Sequence, residues 1–259
     1  FDVQGCVGRA GREYQLSHPA SDHAEIDAHV WWDAAVSAVR EVLASSPLPA
    51  EAVAALCISS QGETVVAVDA AGDPLAPALV WLDNRAVDEA ASLASVFAPD
   101  EVYRRTGIPD INPTWTAPKL AWWRVHRPEV FDAADAFLLA ADFIVARLTG
   151  ARVGSASLAC TSLLCDITTG DWWDAMLDAV GVTRARLPRL IDAGSIAGVL
   201  TDAAASALGL PPGIPVVHGG MDQSSGAIGA GNLAAGTVSE STGGALVVQA
   251  TCERSDGDP

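Results

Sequence analysis

Helical and strand-like patterns of apolar positions take turns along the chain. Within residues 25–43, Trp32, Ala35, Val36, Val39 and Leu43 recur at the i, i+3, i+4, i+7 spacing of a helix, with Arg40 and Glu41 outside the stripe. Residues 52–59 form a near-continuous apolar run, which predicts a strand buried on both faces, as in a parallel sheet. That run ends in Ser60-Gln61-Gly62-Glu63. Residues 64–68 predict a further strand, 69–74 a turn, and 76–81 the returning partner. Helices are predicted at 86–96, 100–105, 116–125, 142–148, 171–180 and 201–208, the last capped by Thr201 and stopped by Gly209. Residues 133–141 read as a strand, 154–157 as a loop, 1–5 as a strand end with a glycine turn, and 255–259 as a polar tail. Strands alternating with helices mark α/β architecture.

One junction organises the rest. Pro215-Val216-Val217-His218 reads as a buried strand that empties into Gly219-Gly220-Met221-Asp222-Gln223, and the small residues 224–230 predict a tight helix after it. In open α/β sheets ligands lie just past the carboxyl ends of strands, near helix N-termini. Asp222 is therefore the candidate catalytic base, and the same position also suits an acid capping an ordinary turn. The segment Trp81-Leu82-Asp83-Asn84-Arg85 has the groups to bind hydroxyls by bidentate hydrogen bonds, or it opens a helix with a surface Asp–Arg pair. Residues 236–250 read as a hairpin around Thr242-Gly243-Gly244, either a plain turn or a nest of amides for a phosphate. Gly229-Ala230-Gly231-Asn232-Leu233-Ala234 fits the dinucleotide spacing by letter, but it follows a helix instead of a strand and is set aside. The pairs Trp31-Trp32, Trp122-Trp123 and Trp172-Trp173 read as packing residues, with sugar stacking as the other use.

Composition narrows the classes. The formal charge of −17 repels phosphate, which argues against nucleic acid and anionic membrane as partners. With the single lysine at 119, a Walker A loop is excluded. The five cysteines, odd in number and scattered, suit reduced buried thiols and a cytoplasmic location. Cys160 and Cys165 are the one close pair, without a Cys or His beside them to complete a zinc site, so no metal site is expected. No apolar run approaches the length of a membrane span.

Taken together, these stretches resemble the FGGY carbohydrate kinases, the family of glycerol kinase, xylulokinase and gluconokinase. Ile58-Ser59-Ser60-Gln61-Gly62-Glu63-Thr64 is similar to the family's strand and sugar-contact loop, and residues 77–85 to its Trp-x-Asp-x-Arg segment. Thr106-Gly107, Ala117-Pro118-Lys119-Leu120, Leu148-Thr149-Gly150, Gly219–Gln223 and Gly236-Thr237-Val238-Ser239 fit in order. The resemblance implies a ribonuclease H-like, actin-like ATPase fold, a mixed sheet flanked by helices, with ATP and sugar in a cleft between two domains. It implies Asp222 as general base, Gln61, Glu63, Trp81, Asp83, Arg85 and Gln223 as sugar contacts, and Gly243 and Gly244 at the ATP phosphates, with Mg2+ on the nucleotide. The expected organisation is a sugar-binding domain over 1–232 that lacks its first strand, and a truncated opening hairpin of the nucleotide-binding domain over 233–259. The fragment is expected to be inactive alone. The small-molecule partner is a sugar or polyol, and a homodimer is compatible with the family. Gly62 stands where glycerol kinase has Arg, Thr114 where it has Tyr, and Gly243-Gly244 where the phosphate turn has Gly-Thr, which leaves the substrate open. A non-catalytic sugar-binding or regulatory protein of the same fold is the alternative, and a phosphohydrolase a third.

Overall fold

The computed structural model describes residues 5–253. Of the expected strand end at 1–5 only Gly5 is among them, and the tail at 255–259 lies outside the described residues. The chain opens with β1 (Glu25–Ile26), α1 (His29–Ser45), β2 (Leu56–Ser60), β3 (Val65–Val68) and β4 (Ala78–Leu79). A helical block follows, α2 (Val87–Val96), α3 (Pro99–Thr106), α4 (Thr116–His126) and α5 (Pro128–Ala133). Next come β5 (Ala136–Leu139), α6 (Ala140–Thr149), β6 (Val153–Ser155), α7 (Ala156–Ala159), β7 (Cys165–Asp166), β8 (Asp171–Trp172) and α8 (Asp174–Val180). The last third holds β9 (Arg189–Ile191), β10 (Ser195–Val199), α9 (Asp202–Leu208), β11 (Pro215–Met221), α10 (Asp222–Gly229), β12 (Val238–Thr242) and β13 (Leu246–Ala250).

Two sheets carry the architecture. One is antiparallel in the order β1-β4-β3-β5, and the other is mixed in the order β10-β11-β2, with β11 parallel to β2. Every residue of β3 is buried, because Val65 and Ala67 face a cluster with Leu120, Trp123, Phe137 and Met176 while Val66 and Val68 face one with Phe143 and Leu138. The two-sided burial expected of residues 52–59 is thus a property of β3. The strand there starts only at Leu56, and it alternates: Leu56 and Ile58 pack toward the cluster that holds Val145, Leu148 and Val216, while Cys57 and Ser59 are exposed; among the described residues β2 pairs with β11 alone. Helix α6 joins the two sheets, Phe143 packing under the first and Val145 and Leu148 meeting Ala204, Leu208 and Val216 beside the second.

The helix ends follow the expected stop signals. Gly150 and Gly209 take left-handed φ of 72° and 76°, and the Thr201 side chain accepts the Ala204 amide at 3.3 Å. Three expectations change. Residues 154–157 are the end of β6 and the start of α7, and residues 171–172 pair as β8 before α8 begins at Asp174. The cysteine pattern suits buried thiols, yet Cys6, Cys57 and Cys252 are exposed and Cys165 alone is fully buried. The tryptophans pack: Trp31, Trp123, Trp172 and Trp173 are buried, and Phe97 and Trp173 meet at 4.9 Å between ring centroids. Among the described residues no helix is long and apolar enough to cross a membrane.

Candidate functional site

Strands β2 and β11 run side by side and deliver their carboxyl ends to one edge. Beyond β2 lies Gln61-Gly62-Glu63, and beyond β11 lies Asp222 as the first residue of α10. At its end β11 carries one more residue than β2: His218 faces Ile58 and Gly220 faces Ser59, so Gly219 bulges out of the pairing. A side chain at Gly219 would meet the Cys57 sulfur at 2.9 Å, and Gly220 has a φ of +92°. Both positions demand glycine. The Ser59 hydroxyl donates to the Gly220 carbonyl at 3.0 Å and the Ser225 hydroxyl to the Met221 carbonyl at 3.0 Å, which fastens the first turn of α10 to the strand ends.

Between these ends opens a cleft of about 280 Å³. Gln61, Glu63, Trp81, Asp222, Gln223 and Gly244, all singled out from sequence, line it together. Asp222 is exposed, at the start of a helix whose dipole favours a negative charge there, and its Oδ1 accepts the Gln223 amide at 2.7 Å. Thr64, fully buried, joins the Gln61 and Trp81 segments: its hydroxyl accepts the Gln61 side-chain amide at 3.1 Å and the Trp81 backbone amide at 3.0 Å.

Asp83 and Arg85 do not line the cleft. Asp83 is wholly buried, accepts the Ala24 amide at 2.6 Å and pairs with Arg85 at 2.7 Å; Arg85 also pairs with Glu25 at 2.7 Å and lies over the Trp122 ring at 4.8 Å. The direct sugar contact expected of these two is corrected to a buried staple behind Trp81. Neither a surface pair nor a hydroxyl-binding pair describes it. A further correction concerns the glycine turn. The Gly243 amide donates to the Ala245 carbonyl at 3.0 Å inside the hairpin, and neither Gly243 nor Gly244 has positive φ, so no nest of free amides forms and only Gly244 faces the cleft.

Thr114, Trp115 and Met221 also line the cleft: Thr114 stands at the position compared with the Tyr of glycerol kinase and Met221 within the junction before Asp222, whereas Trp115 was not singled out from sequence. The Trp115 indole N–H donates to the Asp110 carbonyl at 3.0 Å. Gly62 is buried against Thr161, whose hydroxyl occupies the space a larger residue would need. Burial pushes the Glu63 carboxyl up to about 7, opposed by Lys119 and reinforced by Asp222. Among the described residues no three His, Cys, Asp or Glu side chains gather as a metal cage.

Residues 1–229 match the family model described as the FGGY family of carbohydrate kinases, N-terminal domain. The chain belongs to the FGGY family. A xylulose kinase of Escherichia coli (strain K12) is 33% identical over 254 residues, 98% of this chain and 51% of that protein. A glycerol kinase of Ectopseudomonas mendocina is 34% identical over 266 residues, 97% of this chain and 51% of that protein. Among solved structures, xylulose kinase from Rhodospirillum rubrum superposes with a TM-score of 0.89 at 28% identity, covering 96% of this chain and 51% of that one. The FGGY chain thus spans about half the length of the curated relatives it matches, and its mixed α/β architecture is the ribonuclease H-like, actin-like fold of these sugar kinases.

Proposed function

We propose that this chain is the sugar-binding part of an ATP-dependent carbohydrate kinase in which Asp222 is the general base. Residues 1–232 form the sugar-binding domain, and 233–259 begin the nucleotide-binding one. The observation that carries the reading is the cleft itself: an exposed acid at a strand-to-helix junction shares one cavity with Glu63, Gln61, Gln223 and the Trp81 ring. Family membership supports the reaction class.

Phosphoryl transfer asks the protein for position and charge stabilisation more than for covalent chemistry. A carbohydrate hydroxyl is too weak an acid for a carboxylate to ionise in advance. Asp222 takes the proton as the O–P bond forms, while Glu63, Gln61 and Gln223 hold neighbouring hydroxyls and Trp81 supplies an apolar face. Asp83 and Arg85 act only through Trp81, by fixing the segment that carries it. ATP enters as the second substrate with Mg2+ on its phosphates, and this chain offers Gly244 toward it.

In the full-length protein, Asp222→Asn is expected to lower kcat by about 10²–10⁴-fold while sugar binding stays within a few-fold. Sugar-dependent ADP release and direct binding titration measure the two. Near wild-type turnover in the variant excludes the base role.

A further inference from the structure

Every Lys or Arg of the chain but one is an arginine, 15 residues in all, and the one lysine is wholly buried. Lys119 sits in the first turns of α4, and its ammonium donates to the backbone carbonyls of Thr114 and, at 3.5 Å, of Glu63. Those two residues stand on separate loops of the cleft wall. Three positions earlier on the same helix face, the Thr116 hydroxyl donates to the same Glu63 carbonyl at 3.1 Å.

Glu63 needs this support. Its φ of 56° is left-handed, and the Thr64 amide closes a three-residue turn onto the Gly62 carbonyl at 2.6 Å, the strained hand of that turn. The Glu63 amide donates to the Thr161 hydroxyl at 3.3 Å. The inverted residue is therefore gripped at both its amide and its carbonyl. In a chain that otherwise uses only arginine, a lysine at this spot has a physical reason: an ammonium is compact enough to be buried, and its charge responds to its surroundings, whereas a guanidinium is planar, bulky and permanently charged.

Resting on the kinase reading above, we propose that Lys119 is a positioning residue for the carbohydrate: it ties the Glu63 loop to the Thr114 loop, and its charge keeps the Glu63 carboxyl able to accept hydrogen bonds from substrate hydroxyls. Among the described residues, few groups face the pair. Asp222 and Cys160 face Glu63, and Asp83 and Arg85 face Lys119. Burial pulls the Lys119 ammonium down to about 7, with Asp83 and Glu63 raising it and Arg85 lowering it.

The signs then differ between variants. Lys119 lowers the Glu63 value and Asp222 raises it. Sugar affinity of the full-length protein, followed by fluorescence of the cleft tryptophans with the best substrate of a coupled assay, is expected to strengthen as pH rises through neutrality. Lys119→Met moves that midpoint to higher pH and weakens sugar binding at pH 7 by about tenfold, with ATP KM unchanged within about twofold. Asp222→Asn moves the midpoint to lower pH, and Glu63→Gln abolishes the transition. A folded Lys119→Met with the wild-type midpoint overturns the proposal, since a merely structural lysine would weaken binding without moving it.

A second readout needs neither turnover nor sugar. In isotope-labelled full-length protein, the Lys119 side-chain signal is expected to titrate near neutrality and to shift to lower pH in Glu63→Gln. An unmoved signal overturns the coupling even where Lys119→Met does not fold. Wild-type protein that binds no sugar while this titration behaves as expected overturns the kinase reading and, with it, the role in substrate binding, and leaves the charge coupling standing.

Discussion

On one side of the cleft, Glu63 and Trp115 rest on α4, whose Leu120 and Trp123 are 0% and 1% exposed in the largest apolar cluster; on the other, Asp222 opens α10, in which no residue is buried. The Glu63 wall is held from behind by packed aromatic and aliphatic side chains. The Asp222 wall is held by backbone pairing of β11 with β2 and by two serine hydroxyls. The two walls therefore depend on different forces, dispersion and apolar burial on one side and hydrogen bonds with backbone conformation on the other. Substitutions should separate them.

The largest effect is expected on the packed side. Leu120→Ala removes a side chain from a closed core and should destabilise by about 2–5 kcal/mol in denaturant melts, whereas Ile228→Ala on α10, 59% exposed, should stay within about 0.5 kcal/mol. Equal losses at the two positions would break the contrast. On the other side the sensitivity lies in the backbone. Gly220→Ala places a methyl 2.9 Å from the Ser157 hydroxyl at a φ of +92° and should cost more than about 1 kcal/mol, while Gly229→Ala, with nothing within 4 Å, should be neutral or stabilise by about 0.4–1 kcal/mol.

The smallest effect sharpens the comparison through pH. Between its ordinary 4.5 and about 7, Glu63 holds a proton in the folded chain that the unfolded chain has released, so its contribution makes stability fall as pH rises. Between about 7 and its ordinary 10.5, Lys119 has lost in the folded chain a proton that the unfolded chain keeps, so its contribution makes stability rise again. A shallow minimum near pH 7 in the melting temperature is expected, absent in the double variant Glu63→Gln, Lys119→Met. Asp222→Asn, by relieving the repulsion on Glu63, should make the minimum shallower. A double variant that keeps the minimum would assign it elsewhere.

Much of this was legible along the chain because it is local. Helix stops at Gly150 and Gly209, the Thr201 cap and the strand-to-helix junction at Asp222 are decided by residues within a few positions of each other. What escaped depends on distant partners. Asp83 and Arg85 form a polar pair that looks exposed until Ala24 and Glu25, some sixty residues earlier, arrive to bury it. Residues 154–157 are small and carry no periodicity, and the first two of them join a strand because β9 pairs beside β6. Lys119 read as one letter of a family motif; its role comes from carbonyls on two loops that no spacing rule connects.

The bulge at Gly219 has a further consequence for reach. A strand advances by about 3.3 Å per residue and turns successive residues to opposite faces. The unpaired glycine therefore works as a spacer: it sets how far the acid protrudes past the sheet edge and which way it points. Excision of Gly219 would draw Asp222 back by about 3.3 Å, roughly the span of a single hydrogen bond, and leave the rest of the sheet in place.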